Sequence, residues 1–167
     1  MQRLVFGLIG GAVLLLGAAV AQADQIRFGD GGSIFGGATW TITPDDHVRF
    51  DAYQIEGGLS AREGWVWDNA GAKQGHITFA MPGAFATAAE IAREGLAGVA
   101  AAPAFLTPCT DAGSLIIEVE AEGVGYSGSL DRCAAEPGAP ADVRAHYAVM
   151  KAVRSEIVTT LGLDRLK

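Results

Sequence analysis

Residues 114–131 read SLIIEVEAEGVGYSGSLD, and this stretch decides the fold class. Its first half alternates apolar with acidic side chains, which is the period of a strand that has one buried and one wet face. Gly123 then turns the chain, and the second half alternates again with serine on the wet side. The stretch therefore predicts an antiparallel hairpin whose buried face holds the apolar side chains of both strands, Leu115, Ile117, Val119, Ala121, Val124, Tyr126 and Leu130.

A second hairpin is predicted nearer the N-terminus. Apolar residues alternate with threonine over 38–43, and the alternation resumes over 48–53. Between them lies Pro44-Asp45-Asp46, which is typical of a turn because proline presets φ and aspartate bonds nearby backbone. Two further strands are expected at 64–68 and 75–80.

Two helices follow from the remaining patterns. Thr87 and Glu90 have the spacing of a capping box, which predicts a helix from there to about Val99. A stronger helix is expected over 142–161, where apolar residues recur at steps of three and four, and Gly162 is placed to end it. The apolar side of the first helix is expected to hold Ile91, Leu96 and Val99.

Strands followed by helices indicate an α+β domain. We expect an antiparallel sheet of about five to seven strands, two helices packed on one face of it, and one disulfide.

The N-terminus has the three parts of a cleavable secretory signal. A short positive start, Met1-Gln2-Arg3, precedes an apolar run over 4–20 and a small-x-small site at 21–23. We therefore expect cleavage after Ala23, which leaves residues 24–167 as a single domain. An uncleaved anchor is the weaker alternative, because a spanning helix usually needs about 20 strongly apolar residues.

Net charge and hydropathy exclude several classes of partner. The chain has a formal net charge of −7, and removal of the signal takes away only Arg3 among its charged residues. Binding to nucleic acid or to an anionic lipid surface requires a positively charged protein surface, so neither partner is expected. No second long apolar stretch occurs, so no stable membrane insertion is expected after cleavage. We predict a periplasmic or secreted protein.

The two cysteines, Cys109 and Cys133, are expected to pair, since exported thiols meet oxidising conditions. The predicted hairpin brings them near each other at its open end. Closing a loop of this length contributes about 3 kcal/mol on the chain-entropy account.

No catalytic, cofactor or metal motif is found. The histidines His47, His76 and His146 have no metal-ligand spacing between them, and a zinc site would need three separate segments to converge. Gly125-Tyr126-Ser127-Gly128-Ser129 lacks the fifth-position glycine of a nucleophile elbow. The alternative enzyme hypothesis is a small periplasmic hydrolase that uses scattered residues such as His47, Asp46 and Ser127.

Two compositional features have ordinary interpretations. The glycines of 29–37 lack the lysine and spacing of a phosphate-binding loop, and we interpret them as a loop or strand bulge. Glu118, Glu120 and Glu122 form an acidic stripe, which is usually a wet strand face that guards against edge pairing. The stripe has two functional alternatives, a docking site for a basic partner and a weak calcium site.

Tryptophan gives the most specific functional hypothesis. Trp40, Trp65 and Trp67 are expected to build the core beneath the first helix, or alternatively to form an exposed platform for a ligand or partner. Without a catalytic constellation, the sequence favours a non-catalytic binding or envelope-accessory module. Its partner would be a protein, a peptide or a small molecule, and its oligomeric state is not specified.

Overall fold

The computed structural model describes residues 24–33, 36–53, 66–68, 74–103, 113–121 and 123–166. In these ranges the chain forms one antiparallel sheet and two helices, which confirms the α+β class. The strands are β1 (Gln25–Ser33), β2 (Gly36–Ile42), β3 (His47–Tyr53), β4 (Val66–Asp68), β5 (Gln74–Ala80), β6 (Ser114–Ala121) and β7 (Val124–Asp131). The helices are α1 (Ala84–Gly95) and α2 (Ala141–Thr160), with short 3₁₀ helices at Arg132–Ala135 and Leu163–Leu166.

The strand order in the sheet is β4-β5-β3-β2-β1-β6-β7. β1 joins the N-terminal strands to the β6–β7 hairpin, because Phe28 pairs with Trp40 on one side and with Ile117 on the other. The glycine-rich stretch interpreted as a loop or bulge is therefore largely an interior strand. A bulge is present at its end, where the register with β2 shifts between Asp30 and Ser33.

Glycine is required at position 29 of this interior strand. A Cβ built on Gly29 would lie 2.2 Å from the carbonyl oxygen of Ala38 and 2.7 Å from the Cα of Thr39. Both are backbone atoms held by the β1–β2 ladder, so no side chain can be accommodated there. The residue also has a φ of 157°, which L-residues rarely adopt.

Both predicted hairpins are confirmed. β2 and β3 flank the Pro44–Asp46 turn, and Asp46 adopts a left-handed φ of 59°. β6 and β7 are joined at Gly123, whose φ is 78°, and Ala121 is the residue opposite Val124.

The predicted capping box at Thr87 and Glu90 is wrong, because α1 starts earlier. The helix begins at Ala84, three residues before Thr87, and its preceding residue is Gly83. The carboxylate of Asp46 supplies the cap instead: it accepts hydrogen bonds from the N–H of Gly83 (2.7 Å) and of Phe85 (3.0 Å). A tertiary contact thus satisfies N–H groups that a local side chain usually satisfies.

The apolar side of α1 is confirmed in part. Leu96 is buried as predicted, whereas Ile91 and Val99 are only partly buried. Within the helix, the buried face consists of small residues at steps of four, Ala84, Ala88 and Ala92. Small residues let the helix approach a sheet face made of large aromatic and branched side chains.

The second helix is confirmed over Ala141–Thr160, and Gly162 follows it with a φ of 65°. α2 contacts β6 and α1. At the helix–helix contact, a Cβ on Gly95 would lie 2.4 Å from a methyl group of Val153, so the glycine permits the close approach. The fully buried core includes Phe28, Trp40, Phe50, Ile117, Met150 and Ile157.

Several predictions fall on residues that the structure does not describe. These are the signal over 1–23, Cys109 and Trp65. The Cys109–Cys133 disulfide therefore stays a prediction, as does the division of the chain after Ala23. Within the described ranges, no helix is both long and apolar enough to span a bilayer.

Candidate functional site

The residues of the alternative hydrolase hypothesis are the first candidates for a site. Asp46 lies in the β2–β3 turn, and both of its carboxylate oxygens accept N–H bonds from the start of α1. These bonds lower the pKa of the Asp46 carboxyl below its usual range. Both oxygens of this carboxylate therefore serve the fold by capping α1, and neither forms a hydrogen bond with His47.

His47 pairs with a different aspartate. Its Nδ1 lies 2.9 Å from Oδ2 of Asp45, and Asp45 also accepts a 2.5 Å hydrogen bond from the hydroxyl of Thr43. The pKa of the Asp45 carboxyl is lowered, mainly by this hydroxyl. The arrangement is a solvated turn in which polar side chains bond one another.

Ser127 lies far from these groups. It is exposed on β7, whereas His47 begins β3, and three strands lie between them in the sheet. Four strand spacings amount to about 19 Å, which is well beyond hydrogen-bond reach. The structure thus does not bring Ser127 and His47 together.

The other two histidines lie on opposite sides of the sheet. His76 is opposite Asp51 in the β3–β5 pairing, on the face away from the helices. His146 is on α2, and its Nε2 lies 2.6 Å from the hydroxyl of Tyr126. Burial raises the pKa of this tyrosine, so the hydroxyl remains neutral and ties β7 to α2.

The glutamates of the predicted acidic stripe differ in their contacts. Glu118 forms an ion pair of 3.1 Å with Arg27 on β1, and Glu120 is exposed at the end of β6. Glu122 lies outside the described residues. Over the described ranges, no group of three or more histidine, cysteine, aspartate or glutamate side chains could hold a metal ion.

The tryptophans separate as well. Trp40 is only 1% exposed, and its ring lies 4.2 Å from that of Phe50. It belongs to the core and is not available to an exposed platform. Trp67 lies in β4 with its side chain outside the described part, and Trp65 lies outside it entirely, so a platform of those two stays a prediction.

A polar cluster that the sequence analysis missed lies at the end of the core. Asp30 accepts a 2.6 Å bond from Arg154 of α2 and forms an ion pair of 3.2 Å with Arg132. The side chains of Asp30 and Arg154 are about four-fifths buried, at 21% and 22% exposure. The cluster fastens β1 to α2 and to the 3₁₀ helix that follows β7.

The sequence contained a signal for this cluster. Ile26 and Phe28 point toward the helices, and the same alternation continued to position 30 puts a carboxylate on the inner face. A charge at an inward position requires a buried partner. Tyr147 lies near the cluster, where burial is the main cause that raises the pKa of its hydroxyl.

The face of the sheet opposite the helices, which we call the outer face, is polar. The odd-numbered residues of β1 to β3 and of β7 lie on it, because partners in the antiparallel register share a face. Arg49 binds Asp51 on this face through three hydrogen bonds of 2.7, 2.8 and 3.0 Å. Other members, all exposed or half-exposed, are Arg27, Thr39, Thr41, Glu118, Ser127 and Ser129.

No protein-family model matches the chain, and neither a curated protein nor a solved structure is significantly similar to it.

Proposed function

We propose that the chain is an exported, non-catalytic module that binds a protein, peptide or small ligand, or serves as an accessory of the cell envelope. Its location would be periplasmic or secreted. The proposal rests on the N-terminal signal pattern and on the hydrogen bonds and ion pairs that polar side chains form within the fold.

The observation that carries the non-catalytic part is the engagement of Asp46. This aspartate is one of the residues named in the hydrolase hypothesis, yet both of its oxygens bond the N-terminus of α1. His146 is likewise engaged with Tyr126, and Asp30 with two arginines. A catalytic acid or base must reach a substrate, and groups held by structural bonds at short distance are poorly placed to do so.

The surface also supports a binding role. Both helices pack against the same face of the sheet, and the outer face presents threonine, serine and charged side chains. Antiparallel sheets tolerate one wet face, and such a face offers hydrogen-bonding groups to a partner.

The position of Cys133 supports export into an oxidising compartment. The N–H of Arg132 donates to the carbonyl of Gly113 at 3.1 Å, so residue 113 lies beside the residue that precedes Cys133. Cys109 comes four residues earlier, and four extended residues reach at most about 14 Å. Pairing of Cys109 with Cys133 is therefore within reach, and the described part of the chain contains no free cysteine.

The alternative is a small periplasmic hydrolase. The pair between His47 and Asp45 is the observation in its favour, because an aspartate that accepts from Nδ1 orients an imidazole for general-base work. It would need a nucleophile other than Ser127, since that serine lies about 19 Å away.

Two experiments test the proposal. Residues 1–23 fused to a reporter enzyme that is active only outside the cytoplasm should give activity, and the reporter without them should give none. The purified domain, screened with chromogenic esters, phosphoesters and peptides, should show no turnover that His47→Ala abolishes. Turnover lost in His47→Ala would establish the hydrolase instead.

A further inference from the structure

We propose that the outer edge of β7 binds an extended, basic peptide segment of a partner protein by strand addition. The inference rests on the proposed binding function and assigns a surface and a partner chemistry to it.

Among the described residues, the hydrogen-bonding groups along that edge of the β7 backbone have no partner strand. β7 is the last strand in the sheet order, and no described strand pairs with its outer side. The hairpin closes with Ala121 opposite Val124, and the N–H of Arg132 donates to Gly113, so the even-numbered residues bond β6. Because bonding alternates along an antiparallel strand, the N–H and C=O groups of Gly125, Ser127 and Ser129 point away from the sheet.

Within the described residues, the edge lacks several of the devices that usually protect such strands. Lysine, proline and inward charges discourage edge pairing, and none of them occurs over 124–130. At the opposite edge of the sheet, the structure describes a strand of three residues, β4. β7 has eight residues, a length suited to the addition of a strand.

A carboxylate beside the edge defines the charge of the partner. Glu120 lies opposite Gly125 in the β6–β7 register and is exposed. A Cβ on Gly125 would meet no atom within 4 Å, so the space between Glu120 and the edge is open. Within the described ranges Glu120 has no ion-pair partner, unlike Glu118, which pairs with Arg27. A lysine or arginine opposite Gly125 in an added strand would reach the Glu120 carboxylate across the glycine.

A second copy of the chain fits this edge less well. Antiparallel pairing of two β7 strands about their centres places Ser129 or Asp131 opposite Gly125, and neither is cationic. The net charge of −7 adds repulsion between copies and attraction for a basic segment.

The test uses a defined probe and the full domain. The probe is a fluorescent eight-residue peptide with blocked ends, in which valine alternates with threonine and lysine stands at the first and seventh positions. In antiparallel pairing its seventh residue lies opposite Gly125. Fluorescence anisotropy should show saturable binding to the domain, and a peptide with glutamate at both lysine positions should bind at least about tenfold more weakly.

Variants of β7 locate the binding site. Ser127→Pro removes an outward N–H and should weaken binding about tenfold or more, whereas Ser127→Ala keeps the backbone and should leave the affinity unchanged. Glu120→Gln should remove most of the preference for lysine over glutamate.

Modified peptides repeat the test without changing the protein, in case Ser127→Pro does not fold. N-methylation of the fifth residue, whose N–H faces β7, should abolish binding, and N-methylation of the fourth, whose N–H faces away, should not.

Three results would overturn the inference: no binding of the lysine peptide, equal effects of the two N-methyl peptides, or a peptide-free dimer that Ser127→Pro dissociates. The last result would assign the edge to a second copy. None of them bears on export or on the absence of turnover, so failure of this inference is distinguishable from failure of the proposed function.

Discussion

Oδ2 of Asp46 lies 2.7 Å from the backbone nitrogen of Gly83, so the turn between β2 and β3 holds the start of a helix that lies 37 residues further along the chain. The contact joins the N-terminal sheet to the helical layer. It also fixes Asp46 in a left-handed conformation, which aspartate tolerates better than most residues.

Replacement of Asp46 should therefore destabilise the fold through two separable effects. Asp46→Gly keeps the left-handed conformation and loses only the two hydrogen bonds to α1. Asp46→Ala loses the bonds and also forces a Cβ into that conformation. We expect the urea midpoint to fall in the order wild type, glycine variant, alanine variant, as followed by circular dichroism.

The same comparison has a defined pH dependence. The pKa of the Asp46 carboxyl is lower in the folded state, because the N–H groups of Gly83 and Phe85 donate to its charged form. A lowered folded pKa adds stability above the unfolded value and loses it as the pH falls through the folded value. The difference in urea midpoint between wild type and Asp46→Gly should be full at pH 6 and should narrow progressively as the pH falls below about 4. An equal gap at pH 3 and pH 6 would contradict this account.

The elements that the sequence predicted well are those fixed by local pattern. Strict alternation located β2, β3, β6 and β7, and the three-and-four spacing located α2 to within a residue at each end. In these elements the periodic burial of side chains and the turn residues agree, so little depends on distant contacts.

The predictions that were wrong concern features that tertiary contacts determine. The capping box at Thr87 and Glu90 was wrong because Asp46, remote in sequence, caps the helix three residues earlier. The glycines near Gly29 suggested a loop, whereas the close approach of Ala38 makes glycine a requirement of an interior strand. Neither contact leaves a local trace in the sequence.

The two arginines on Asp30 should contribute unequally to stability. Arg154 is 22% exposed and bonds Asp30 at 2.6 Å, whereas Arg132 is 53% exposed at 3.2 Å. Desolvated charged hydrogen bonds are worth about 1.5–3 kcal/mol and exposed ion pairs less than about 1 kcal/mol. Double-mutant cycles with Asp30→Ala should give the larger coupling for Arg154→Ala. Equal couplings for the two arginines would show that burial does not distinguish them.

Replacement of Gly29 and of Gly125 by alanine should have opposite effects on the stability of the fold. A Cβ on Gly29 would lie 2.2 Å from a backbone oxygen, and one on Gly125 would meet nothing within 4 Å. We expect Gly29→Ala to yield little folded protein, because backbone atoms of β2 would have to move. Gly125→Ala should be neutral or stabilising by up to about 1 kcal/mol. Soluble yield and thermal melting measure both, and a well-folded Gly29→Ala domain would contradict the proposed close packing of β1 on β2.

The predicted disulfide should be visible as a difference between oxidised and reduced protein. A cross-link of Cys109 to Cys133 should add about 3 kcal/mol to the free energy of unfolding, which a reducing agent removes. The double variant Cys109→Ser with Cys133→Ser should match the reduced wild type and should not respond to reductant. Identical urea midpoints with and without reductant would mean that no stabilising bridge forms.

The most direct test of the exported, oxidised domain is intact-mass and peptide-mapping mass spectrometry of the protein purified from the cells that make it naturally. The account predicts a chain that starts at Asp24, with the peptides containing Cys109 and Cys133 recovered as one linked species. A chain that retains Met1 and carries two alkylatable thiols would contradict it.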